Sequence, residues 1–78
     1  MTSRAIASAA RKLLDSLDVL EARDFHRCER DVYRLIRQAA APAALSPVEV
    51  WEEAVAVEGD PIRRQRHILG EGWRPNLS

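Results

Sequence analysis

Arg23, Arg27, Arg30, Arg34 and Arg37 recur at intervals of four, three, four and three, the spacing that lines side chains along one ridge of an α-helix. At a rise of roughly 1.5 Å per residue that ridge is about 21 Å long. Phe25, Cys28, Val32, Leu35, Ile36 and Ala39 fall on the opposite side, and no acid shares the ridge. The segment therefore predicts an amphipathic helix with an apolar face and a guanidinium face. A guanidinium is a planar fork of donors matched to carboxylate and phosphate, so an aligned row of them is a docking surface for an acidic protein or a nucleic-acid backbone. The competing reading is a solvated helix face that uses Arg where another chain uses Lys. Eleven Arg against one Lys, with abundant Ala, is a bias that genomic base composition also produces.

A second basic run, Arg63, Arg64, Gln65, Arg66 and His67, follows Gly59. Helix, turn and basic helix are the parts of a DNA-reading helix-turn-helix, and Arg and Gln match guanine and adenine edges in the major groove. The packing positions of such a unit must be apolar, yet with Gly59 as the turn glycine they fall on Glu58, Asp60 and Gln65, and the acidic segment before them repels phosphate. Arg63, Arg64, Gln65 and Arg66 thus stand as the alternative, nucleic-acid-binding site beside the ridge. Trp73 is the one large anchor near the C-terminus; it either packs back on the helices or is offered to a partner, where Trp is favoured at contact hot spots.

Asp15-Ser16-Leu17 resembles the Asp-Ser-Leu signature of acyl carrier proteins, whose serine bears a phosphopantetheine arm. In that family the serine opens the second helix. Here Ser16 sits inside an apolar seam with no Gly before it, so the resemblance stays local and implies no carrier function. Metal chemistry has little to build on, because His26 and Cys28 are two apart and point to different sides of a helix. Cys28 lies on the apolar side, as a structural thiol does. No phosphate-binding Gly-rich loop and no nucleophile elbow occur. The expectation is a protein that is not an enzyme, with no cofactor, no metal and no small-molecule substrate.

The elements that must position these residues are helical. Thr2 or Ser3 caps a first helix carrying the seam Ile6, Ala10, Leu13, Leu17 and Leu20, widened by Ala9 and Leu14. The apolar phase breaks between Glu21 and Asp24 and restarts at Phe25, with Asp24 as the next cap. A connection this short predicts an antiparallel hairpin, while the lack of Gly or Pro before Pro42 leaves one long bent helix open. Pro42 ends the second helix in the Ala39 to Ala44 region. Ser46, Pro47 and Glu49 form a capping box with proline at the first helical position, Leu45 and Val50 have the spacing of a hydrophobic staple, and Gly59 stops the third helix. That helix is expected to turn Val48, Val50, Trp51, Ala54, Val55 and Val57 inward. Asp60 and Pro61 open a short fourth helix with Ile62, Ile68 and Leu69 as its apolar residues.

The fold expected is all-α: one domain over 1–78, helices about 3–21, 24–40, 47–58 and 61–69 built on the hairpin, and an irregular tail at 70–78. Seventy-eight residues with one cysteine hold a thin core without a disulfide, which favours a partner or self-association. Net charge is zero but sorted: residues 23–45 carry +2, residues 46–60 carry −5 and residues 61–78 carry +3. A neutral total argues against a surface that clings to nucleic acid as a whole. No stretch reaches the roughly 20 apolar residues that span a bilayer, and no signal-peptide pattern opens the chain, so the expected setting is the cytoplasm, without a membrane. The leading reading is a small regulator, inhibitor or accessory subunit that docks on a protein partner, or on its own copy, through Arg23, Arg27, Arg30, Arg34, Arg37 and Trp73.

Overall fold

The computed structural model describes residues 2–78, and among them the regular structure is entirely helical. Helix α1, Arg4–Asp18, starts where Ser3 Oγ accepts the Ile6 N–H at 3.1 Å. It buries Ala9, Ala10, Leu13, Leu14 and Leu17, the i, i+3, i+4 stripe of an amphipathic helix. It stops three residues short of the expected end. The end is capped from far along the chain: Gln65 Nε2 donates to the carbonyls of Leu17 at 3.0 Å and Leu20 at 3.3 Å, acceptors left without an i+4 partner once the helix stops. Val19 is left 79% exposed.

Helix α2, Phe25–Ala40, opens on Asp24, whose Oδ1 accepts the Arg27 N–H at 2.9 Å. Six residues without helix separate it from α1, which settles the hairpin against one bent helix. The start of α1 lies beside the end of α2, where Ala5, Ser8, Ala9 and Lys12 share a groove with Ala39, Pro42 and Ala43; the two helices are antiparallel. Cys28, Val32, Ile36, Ala39 and Ala40 are buried. Phe25, expected on the apolar face, is 39% exposed and meets His26 edge-on at 5.6 Å, because the first turn of α2 overhangs the core.

After Ala40 the chain tightens into a 3-10 turn at Ala41–Ala43 and reverses at Ala44, φ 55°. Helix α3, Pro47–Glu58, carries the capping box: Ser46 Oγ accepts the Val48 N–H at 3.2 Å and Glu49 Oε1 accepts the Ser46 N–H at 3.3 Å. Val50 and Ala54 are buried, Val48, Trp51 and Val55 half-buried. Val57, expected inward, is 50% exposed, since α3 touches the hairpin along a narrow stripe that Val57 misses. Gly59, φ 81°, ends the helix in a region closed to most side chains.

The expected helix over 61–69 is shorter and tighter. Pro61 and Ile62 form a turn, Arg63–Gln65 a 3-10 turn, and only Arg66–Leu69 is α-helical (α4). Ile62 and Gln65 point into the core from this stretch, with 0% and 2% exposure. The core unites α1, α2 and α3 around Leu13, Leu17, Val32, Ile36, Val50 and Ile62, and α3 touches both other long helices. The radius of gyration is 11.7 Å, against about 11.5 Å for a compact chain of this length.

Candidate docking surface

Arg27, Arg30, Arg34 and Arg37 share the solvent side of α2 and are all exposed, opposite the buried row Cys28, Val32, Ile36 and Ala39. Periodicity alone places them there, and the ridge is about 15 Å long at the helical rise. Two expectations change. Arg23 leaves the ridge, because it lies in the bend before Asp24 and not in α2. The ridge is also not free of acid: Arg34 Nη2 pairs with Asp31 Oδ1 at 3.3 Å and Arg27 Nε approaches Asp24 Oδ2 at 3.9 Å. Both acids flank the ridge one turn back. With the Arg side chains 74% and 51% exposed, such pairs contribute only fractions of a kcal/mol, about 0.2 to 1, and exchange readily for a better-placed anion. Arg30 has no carboxylate within 4.0 Å among the described residues. Arg37 lies over the Tyr33 ring, 5.8 Å from its centroid.

The alternative basic run is presented to solvent only in part. Gln65 is buried, and Arg66 is drawn into the fold: Nε and Nη2 grip Asp60 Oδ2 and Oδ1 at 2.9 and 3.1 Å, while Nη1 donates to the carbonyls of Gly70 and Trp73 at 2.9 and 2.8 Å. The hydrogen bond to Arg66 holds the Asp60 carboxyl below its usual range against an opposing desolvation, and the same bond raises the Arg66 guanidinium. Arg63 reaches Glu58 at 3.0 Å and Asp18 at 3.8 Å; Arg64 reaches the same Asp18 at 3.8 Å. Only Arg63, Arg64 and His67 face solvent. Gln65 and Arg66 are withdrawn as nucleic-acid contacts, because their donors already serve carbonyls and a carboxylate of the same molecule.

Trp73 is likewise committed internally. Its Nε1 donates to Glu29 Oε2 at 2.9 Å, its ring meets Tyr33 edge-on at 6.0 Å, and its carbonyl takes one of the Arg66 bonds. Further on, the Asn76 N–H donates to Tyr33 Oη at 2.6 Å and Leu77 packs against the core. The tail is irregular, as expected, and docked along α2. Glu29 and Tyr33 hold it, yet nothing singled them out in sequence except their i, i+4 spacing on the flank between ridge and core. Gln65 and Asp60 were hidden because their partners lie in other elements.

Three of the four acids of α3 are engaged. Glu49 closes the capping box, Glu53 accepts from Thr2 Oγ1 at 2.9 Å and Glu58 from Arg63 at 3.0 Å. Cys28 is fully buried, and desolvation, aided by Asp31 and Asp24, pushes its thiol up. Compared with known proteins, the chain matches no family model, no curated protein and no solved structure.

Proposed function

We propose that this protein is a small binding protein, a regulator, inhibitor or accessory subunit, that docks on an acidic face of a protein partner through Arg27, Arg30, Arg34 and Arg37. The observation that carries the reading is the aligned, exposed guanidinium row on α2, whose only carboxylate contacts among the described residues are two one-turn pairs, with Asp24 and with half-buried Asp31. Arginine in this arrangement offers paired donors that a carboxylate accepts in bidentate fashion. A partner helix with acids at the same three- and four-residue intervals matches the row.

A second copy is the other form of this partner: of the four acids of α3, Glu52 makes no hydrogen bond or ion pair among the described residues, and Glu53 and Glu58 hold exposed contacts that exchange as the ridge pairs do. The non-enzymatic character belongs to the same proposal and is supported by the burial of the Cys28 thiol in the core. A cytoplasmic setting is also part of it, consistent with one free, buried thiol. No helix of the described residues is long and apolar enough to cross a membrane.

The test is a variant with Arg27, Arg30 and Arg34 changed to Gln. A partner recovered with the native chain should bind the variant at least about tenfold more weakly, a loss of about 1.4 kcal/mol. Unchanged affinity for every recovered partner refutes the proposal. Binding to a nucleic-acid backbone is the second reading, through the ridge or through exposed Arg63 and Arg64. Four phosphate contacts imply a loss of about a hundredfold in affinity between ~50 and ~200 mM salt; no shift of duplex DNA or single-stranded RNA at the lower salt removes it.

A further inference from the structure

Arg23, displaced from the ridge, borders a different feature. The α1–α2 connection (Leu20, Glu21, Ala22 and Arg23) and the segment from Arg64 to Ile68 form the two sides of a surface cleft of about 320 Å³, within the ~300–1,000 Å³ of small-ligand sites. Leu20, Ala22 and Ile68 are half-buried against the core and give it an apolar wall. Arg23, Arg64 and His67 give it a cationic rim, with Glu21 the one acid among its lining residues. Arg23 has no carboxylate within 4.0 Å among the described residues, and Arg64 has only the 3.8 Å contact to exposed Asp18.

Gln65 also lines the cleft but is 2% exposed, so its amide lies below the reach of a ligand there. Its Nε2 is spent on two carbonyls, which sets the orientation of the amide because only that end can donate, and its Oε1 has no partner.

We propose that this cleft binds a small phosphomonoester with an apolar body. Two guanidiniums suit a phosphoryl head through charge-assisted hydrogen bonds, the half-buried wall suits a ring or short aliphatic group, and a phosphoryl group of charge about −2 with three acceptor oxygens engages both guanidiniums more strongly than the single charge of a carboxylate. The site is separate from the α2 ridge, so its failure leaves the docking proposal standing and the reverse also holds.

The test is an amide NMR titration of the full-length chain with phenyl phosphate at low salt, beside inorganic phosphate, benzyl alcohol and phenylacetate. Saturating shifts are expected at Ala22, Arg23 and residues 64 to 68, with a dissociation constant on the order of 1 mM, and about tenfold weaker binding of each of the other three probes. Arg23→Gln and Arg64→Gln should each weaken phenyl phosphate about fivefold or more, and Arg4→Gln should not. Shifts that follow the α2 ridge, or that fail to saturate, overturn the proposal. Inorganic phosphate or benzyl alcohol bound as tightly as phenyl phosphate overturns the composite site, and phenylacetate bound as tightly overturns the phosphoryl assignment.

Discussion

Replacing Arg66 with Met should be the most damaging single change outside the apolar core. Arg66 makes four hydrogen bonds to three residues, Asp60, Gly70 and Trp73, and so ties the end of α3 to the start of the tail. A buried charge-assisted bond is worth about 1.5–3 kcal/mol. The Arg66 and Asp60 side chains are 22% and 38% exposed, so solvent screening reduces each bond to about 0.5–1 kcal/mol. Four such bonds amount to about 3 kcal/mol. Met keeps the apolar stem, which isolates the polar loss. In a domain of this size the melting temperature should fall by about 12–24 °C, read by far-ultraviolet circular dichroism. Trp73 emission should shift toward that of a hydrated indole, because its carbonyl and the tail lose their anchor. Arg66→Lys should recover less than half of the loss, since an ammonium cannot grip both carboxylate oxygens in a planar fork. A cycle with Asp60→Asn should show coupling of about 1–2 kcal/mol. If Arg66→Met lies within ~0.5 kcal/mol of the native chain, the strut does not hold the tail and the reasoning is wrong.

The other predictions follow from single side chains. Gln65→Glu should cost at least ~2 kcal/mol more than Gln65→Met in denaturant unfolding, because it sets an anionic oxygen against the Leu17 and Leu20 carbonyls, whereas Met also removes the orphaned Oε1; equal stability of the two would contradict the assigned orientation. The Asp60 carboxyl is held low by Arg66, so its contribution is complete above the ordinary carboxylate value of about 3.9 and disappears as pH falls through the lower folded value. Acid titration of stability should therefore be shallower in Asp60→Asn, and an unchanged profile counts against the ion pair. Ala44 holds φ 55° without being glycine, and Ala44→Gly should raise stability by up to ~1 kcal/mol; a loss would mean that its methyl packs. Cys28 is fully buried with a raised pKa, so alkylation should proceed only at the rate of opening of the fold; rapid modification of the native protein would show the α1–α2–α3 core to be looser than drawn.

Local rules carried much of the architecture. The seam from Ile6 to Leu17, the restart at Phe25, the caps at Ser3, Asp24 and Ser46, the stop at Gly59 and the basic face of α2 depend on residues within one or two turns of each other, whose energetics hold wherever the helix packs. The capping of the α1 end, the docked Trp73, the enlistment of Gln65 and Arg66 as struts, and the removal of Arg23 from the ridge depend on partners 4 to 48 residues away or on the path of an irregular connection. A glutamine or arginine has the same side chain whether it meets DNA or a carbonyl of its own chain; which acceptor comes within 3 Å is set by how the helices pack. Helical faces were therefore written in the sequence, and the choice between internal strut and exposed contact was made by the tertiary fold.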